Sequence, residues 1–380
     1  MHTKKRMTLH VFNPEHDIAL ASGLENFTSP HAGRQLRHDL GFLPTLWAAQ
    51  GDGVLVEDAE QALASLQRLA MAAKKTLGVT VGKETVLLTG RQTLPDIAAV
   101  SPWGWDAALR GRLRRMGIGN NLLPGDEKLQ CVRNLSHRRT ATVLLQRLKA
   151  DGLATAVDDM PMECCSMDDV EAVLARYPHA VLKAPWSSSG RGVRFTGTRA
   201  DSALEGWVRS VITRQGSVMA EPYYNKVKDF GMEFEAHADG SVGYSGLSLF
   251  HTANGAYTGN IVATEQRKLE LIGWYLPAEF LEQVKERICH HLTDILQGRY
   301  QGPLGVDMML VNGDCKTPHT GASSQAGFLL HPCVEVNLRL TMGHAALALS
   351  PDDDDRMGVM RITYSNGCYK AVITNVKQST

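Results

Sequence analysis

Asp307 sits inside "GVDMML", an apolar run that reads as a strand buried on both faces. A carboxylate placed there needs partners, because burying a lone charge is costly. In "HPCVEVNLRL" the side chains alternate. Val334, Val336, Leu338 and Leu340 share one face, which has to be core, and Glu335, Asn337 and Arg339 share the other. If the two strands pair, Asp307 stands beside Glu335 and Asn337. Two carboxylates and one amide carbonyl then make a hard oxygen site of the kind Mg²⁺ accepts, its octahedron completed by water and phosphate. A half-exposed strand with a polar outer face accounts for Glu335, Asn337 and Arg339 equally simply, but not for the acid inside "LGVDMML".

The second stretch with chemical potential is "VLKAPWSSSGRGVRF", residues 181–195. A Walker loop needs its lysine after the glycines, and here Lys183 precedes them, so that motif is absent. No Gly-x-Gly-x-x-Gly fingerprint occurs either. The residue types nevertheless suit phosphate. Gly190 and Gly192 let backbone N–H groups converge, Ser187, Ser188 and Ser189 offer hydroxyl donors, and Lys183 supplies a point charge. An ordinary hairpin loop between "HAVLKA" and "GVRF" fits the same residues equally well.

The elements that would carry these side chains follow from pattern. "TLHVF", "GDGVLVED" and "ETVLLTG" read as strands. "AEQALASLQRLAMAAKKTL" between the last two is a helix, which predicts a parallel α/β layer over the first 120 residues. "SPWGWDAALRGRLRRMGI" reads as a basic helix bounded by Pro102 and Gly117, and "HRRTATVLLQRLKADG" as a helix closed by Gly152. "PMECC" and "HAVLKA" are strands flanking a helix whose Ser166 and Asp169 have capping-box spacing. "DSALEGWVRSVITRQG" and "LPAEFLEQVKERICHHLTDIL" are helices. Asp239-Gly240 and Asn366-Gly367 mark hairpins. "CKTPHTGASSQAG" is a polar insertion in a hairpin connection.

Composition narrows the class. The 380 residues are 43% hydrophobic and 21% charged, and 40 Lys plus Arg balance 40 Asp plus Glu, so no basic excess speaks for nucleic acid. No apolar run is long enough to span a membrane, and the basic start lacks the apolar length of a signal peptide. Seven cysteines with no Cys-x-x-Cys fit neither a disulfide framework nor a zinc ribbon, which points to a reducing cytoplasm.

A phosphate loop and a divalent-cation site in one chain point to nucleoside triphosphate chemistry. From about residue 120 to 345 the order of features resembles the ATP-grasp superfamily. That resemblance implies an α/β N-terminal domain (1–120) followed by an ATP-grasp fold. Its two α+β subdomains, a lid (121–220) and a catalytic one (221–380), would clasp ATP. Lys183 and the loop Ser187, Ser188, Ser189, Gly190 and Gly192 would hold the phosphates. Glu221 and Pro222 in "VMAEPYY" resemble the strand that reads adenine, and Asp229 the acid that accepts from the ribose. Asp307, Glu335 and Asn337 would bind one or two Mg²⁺ (or Mn²⁺), with Arg339 near the transferred phosphate. Where many members carry a lid lysine, "NLSHRRTA" offers Arg138 or Arg139, and Arg138 is taken as the nucleotide ligand. Gly305 stands where some ligases have an arginine, so that task falls to Arg339.

The reaction implied is ATP-dependent joining of a small-molecule or peptide carboxylate to an amine or thiol through an acyl phosphate, with Arg339 and Lys183 as catalytic residues. A phosphotransferase and a nucleotide binder without turnover remain the rivals. Asn13, Glu15, His16 and Asp17 in "FNPEHDIALA" follow the first strand, where α/β sheets bind ligands. They either hold the acceptor or simply start a capped helix. "AYTGNIVAT" likewise either lines an acceptor pocket or is a turn.

Overall fold

The structure, a computed structural model, describes residues 7–82, 84–90, 92–177, 179–187, 192–197, 199–253, 256–313 and 327–376. Ser188, Ser189, Gly190 and nearly all of the "CKTPHTGASSQAG" insertion lie outside these.

The first sheet contains β1 (Met7–Val11), β2 (Gly53–Val56), β3 (Val86–Thr89) and β4 (Ile97–Pro102) in the order β3-β2-β1-β4, and every pairing is parallel. Helices α1 (His16–Ser22) and α2 (His31–Leu40) lie between β1 and β2, α3 (Ala59–Leu77) between β2 and β3, and α4 (Ala107–Arg115) follows β4. The side chain of Asp58 accepts from Gln61 N to start α3, and Gly78 at φ 74° ends it. The expected basic helix from Pro102 is shorter than its sequence suggests. Pro102 closes a strand, and α4 begins only after Asp106, whose carboxylate caps Leu109 N at 2.8 Å.

Helices α5 (Asp126–Leu135) and α6 (Arg139–Ala150) lead into a second sheet of β5 (Met162–Cys164), β6 (Ala180–Lys183), β7 (Val193–Phe195) and β8 (Val218–Pro222), order β5-β8-β6-β7. Two helices, α7 (Met167–Arg176) and α8 (Ser202–Gln215), cover one face of this sheet and share its apolar cluster. The Ser166–Asp169 capping box forms at the start of α7.

The remaining strands are β9 (Lys226–Ala236), β10 (Val242–Ser248), β11 (Phe250–Ala253), β12 (Ala256–Val262), β13 (Gly302–Asn312), β14 (Phe328–Asn337), β15 (Gly358–Ser365) and β16 (Cys368–Asn375). They build two antiparallel sheets, β10-β9-β13-β14 and β11-β12-β15-β16. Between the strands run α9 (Glu265–Gly273), α10 (Ala278–Leu296) and the short α11 (Met342–Leu347). Asp239-Gly240 and Asn366-Gly367 are both hairpin turns. The second has φ 52° at Asn366 and 77° at Gly367, the left-handed pair such a turn requires.

The cores cut across the order of the chain. Residues of α5 and α6 pack with α10 and the β9-centred sheet rather than with the second sheet. Another cluster joins Phe12, Leu43, Val54 and Leu69 of the N-terminal region to Val262, Leu340, Met360 and Ile373. The sheet that floors the cleft described next is therefore backed on its other face by α5, α6 and α10.

Candidate active site

A cleft of about 1190 Å³ opens between the second sheet, the β9-centred sheet and the end of β1. Its floor comes from the strand register. Asp307 pairs with Gly231 on β9 and with Glu335 on β14, and Gly305 pairs with Glu233 and Asn337. Side chains on one face of adjacent strands are neighbours. Asp307, Glu335 and Asn337 accordingly converge, and Asn337 Nδ2 donates to Asp307 Oδ2 at 3.1 Å. The space a side chain at position 305 would need is filled from across the sheet: a Cβ there would lie 2.6 Å from Glu233 Oε2.

The alternation expected for "HPCVEVNLRL" holds only in part. Between Asp307–Glu335 and Met309–His331 the pairing shifts, because β14 spends extra residues there. Val334 is displaced from the Val336 face to the cleft side, where it packs near Met309. The strand ends at Asn337, and Leu340 belongs to a different cluster, its amide donating to Trp103 O at 2.8 Å.

The charges around this floor are unevenly matched. Protein surrounds the Asp307 carboxyl although it opens on the cleft. Burial and the negative charges of Glu335 and Glu233 push it up to about 8, against the pull of Arg339 and Asn337. A carboxyl held off ionisation by its own neighbours, in an all-oxygen donor set, is what a bound hard cation would relieve. Asp307, Glu335 and Asn337 therefore fit Mg²⁺.

Two arginines flank the set. Arg138 Nη1 pairs with Glu335 Oε2 at 3.0 Å, its Nε donates to Ala184 O at 2.9 Å, and its Nη2 donates to Ser187 Oγ at 3.2 Å. One guanidinium thus links the acidic floor to the start of the serine loop. Arg339 lies against Asp17, with Nε donating at 3.0 Å and Nη2 at 2.9 Å, and Nη2 also reaches Asn337 Oδ1 at 2.9 Å. Burial alone would weaken the Arg339 cation, but Asp17 and the other acids outweigh it and hold it firmly charged. Burial would likewise raise Asp17, yet Arg339 and His16 hold its carboxyl below the usual range.

Lys183 ends β6, and Glu221 lies on β8, where it pairs with Val181. That register puts both side chains on one face, and Lys183 Nζ forms a buried ion pair with Glu221 Oε1. The loop after Lys183 leaves a β-hairpin, because β7 pairs antiparallel with β6 and Ala184 N donates to Gly192 O at 2.7 Å. A Cβ at Gly192 would overlap the Ser187 side chain, so the hairpin needs glycine there. Trp186, which pattern did not single out, anchors the entry. Its indole donates to Arg133 O at 2.9 Å and the Arg133 guanidinium sits 4.0 Å from its ring centre.

Beyond Glu221 the cleft is apolar, walled by Val181, Met309 and Val334 with Tyr223 and Tyr224. Pro222 lines it but has no N–H, and the Tyr223 amide is held by His179 O at 3.0 Å, so neither offers a donor to a base edge. Asp229 stands at the rim, accepting from Lys226 Nζ at 2.6 Å and from the Thr252 hydroxyl.

The "FNPEHD" cluster divides. Asn13 Nδ2 donates to Gly104 O at 2.8 Å and to Asp106 Oδ2 at 3.0 Å, and His16 faces the same oxygen at 3.2 Å, so both brace the start of α4. Glu15 and Asp17 line the cleft. The helix does begin after Pro14, but no side chain caps it. "AYTGNIVAT" is a strand and not a turn: Tyr257 and Asn260 of β12 line the cleft, and Asn260 Nδ2 donates to Ser248 Oγ at 2.9 Å. Glu233 was also unforeseen. It is 3% exposed, yet it lines the cleft.

No family model and no curated protein matches the chain. Among solved structures it is similar to N5-carboxyaminoimidazole synthetase from Staphylococcus aureus with ADP. The match has 12% identity and a TM-score of 0.48, and it spans 96% of this chain and 84% of that one. It is similar to biotin carboxylase from Campylobacter jejuni at 13% identity and TM-score 0.46, over 93% of this chain and 75% of that one. An Archaeoglobus fulgidus protein assigned provisionally to the ATP-grasp superfamily matches at 12% identity and TM-score 0.47, over 98% and 100%.

Proposed function

We propose that the protein is a cytoplasmic, ATP- and Mg²⁺-dependent ligase that joins a small-molecule or peptide carboxylate to an amine or thiol, releasing ADP and phosphate. One observation carries the reading. Asp307, Glu335 and Asn337 converge on the floor of a cleft where Arg138 ties them to the serine loop and Arg339 ties them to Asp17. On this reading the apolar part of the cleft would take the base, the Asp307 set would hold the cation for the phosphates, and the polar part bordered by Asp17 and Asn260 would take the acceptors.

Bound Mg²⁺ would supply charge neutralisation on the β- and γ-phosphates. Lys183 and Arg138 would orient the triphosphate from the lid side. Arg339, held in place by Asp17, would stabilise charge on the moving phosphoryl group as a substrate carboxylate oxygen attacks phosphorus and ADP leaves. The nucleophile would then attack the acyl carbon, lose its proton and expel phosphate. Glu15, Asp17, Tyr257 and Asn260 border the chamber where both acceptors would have to meet.

The test is a coupled assay of ADP release over a panel of carboxylic acids and amines. Release that requires both partners supports the ligase. AMP and pyrophosphate as products overturn it, and a product heavier by one phosphate with no need for amine replaces it with a phosphotransferase.

A further inference from the structure

Beside the cleft, between α2 and α4, lies a second cavity of about 200 Å³. On this measure it is on the order of tenfold larger than one water needs. Four guanidinium groups line it, Arg34 and Arg37 from α2, Arg112 and Arg115 from α4. Their counter-charges are few. Arg37 pairs with Glu15 and with Glu57 (2.8 Å), and Arg112 reaches that same Glu57 oxygen only at 3.7 Å. Asp106, also on the wall, is engaged by Asn13, His16 and the first turn of α4. Arg34 donates to the Ser29 carbonyl at 2.6 Å, and Arg115 makes no ion pair among the described residues. The crowding shows in Arg112, whose guanidinium is pushed down to about 10 by burial and by the charges of Arg37 and Arg115.

Crowded cations around a cavity are what a bound anion would stabilise. A carboxylate is satisfied by one arginine fork, whereas tetrahedral phosphate accepts from several guanidinium groups on different elements at once. Glu15 lines both this cavity and the main cleft, and its buried Oε2 has no hydrogen-bond partner among the described residues. The pocket therefore adjoins the chamber, and Glu15 stands between them with one buried carboxylate oxygen left without a partner among the described residues.

We infer that the arginine pocket binds a phosphate group, the anionic end of an amine-bearing acceptor whose reactive end lies by Glu15 in the main cleft. The phosphate site stands on the pocket itself, and its part in acceptor binding rests on the ligase reading above.

Calorimetric titration of the full chain with inorganic phosphate, with and without saturating ADP and Mg²⁺, tests it. Wild type should bind phosphate even when nucleotide fills the cleft. Arg34→Gln and Arg115→Gln change exposed side chains, and each should weaken that binding by about tenfold, the loss of one charge-assisted hydrogen bond. ADP affinity should stay unchanged, which also shows that the variants fold. Phosphate binding abolished by ADP, or undiminished in the double variant, overturns the site. Acetate binding as tightly as phosphate overturns the phosphate assignment. If ADP fails to bind while phosphate binding is still lost in the double variant, the ligase reading falls and the pocket stands.

Discussion

Replacing Lys183 separates what holds the second sheet together from what is proposed to hold nucleotide. Lys183 and Glu221 are 7% and 8% exposed and form an ion pair across adjacent strands. Lys183→Met keeps the length of the aliphatic stem and removes the ammonium, which leaves a buried carboxylate without its cation. Breaking a buried pair in this way costs about 3–5 kcal/mol, whereas removing both charges is often nearly neutral. Against a typical stability of about 5–15 kcal/mol, the single change is large. The double variant Lys183→Met/Glu221→Gln should regain most of the loss. Urea unfolding followed by tryptophan fluorescence and far-UV circular dichroism reports the stability of the chain, Trp186 and Trp207 lying by this sheet. Calorimetry with ATP and Mg²⁺ reports on the cleft. The expected pattern is a destabilised single variant, a recovered double variant, and weak ATP binding in both. A single variant as stable as wild type would refute the buried-pair argument, and a double variant that binds ATP normally would refute the assignment of Lys183 to the phosphates.

Four further outcomes follow from the charged groups of the cleft. The Asp307 carboxyl is raised from 3.8 to about 8 in the folded chain, so the unfolded chain releases this proton first and stability falls as pH rises from about 4 towards 8. The slope from this group is at most roughly 1.4 kcal/mol per pH unit, less where cleft water screens it. Mg²⁺ should stabilise wild type at pH 8, and Asp307→Asn should flatten that part of the pH profile and abolish this stabilisation; parallel profiles would count against it. Glu335→Gln should stop ADP release while unfolding stays close to wild type, because Arg138 keeps its bonds to Ala184 O and Ser187 Oγ. Arg339→Lys loses the forked contact with Asp17 and should lower kcat by roughly 10²–10³-fold. Asp17→Asn should give a smaller drop, since it only positions Arg339, and steady-state kinetics separates the two.

Much of the architecture was legible locally. Alternation and turn chemistry announce β13, β14 and the hairpins at Asp239-Gly240 and Asn366-Gly367, because strand faces and left-handed turns are decided by neighbours in the chain. The acid inside "GVDMML" marked the floor of the cleft for the same reason: a charge in an apolar strand has to be answered somewhere. β4 was missed because "IAAVSP" ends in proline and runs into a segment with helical composition. The fate of Val334 was missed because a bulge is a property of two paired strands, not of one.

What the sequence determined by itself is therefore the set of charged groups that cannot be left alone. Which of them meet was decided by the tertiary structure. Arg339 finds Asp17 across 322 positions, Arg138 finds Glu335, and four arginines of two separate helices face one cavity. Electrostatic partnership depends on distance in space, and packing of the N-terminal sheet against the strands that follow sets those distances.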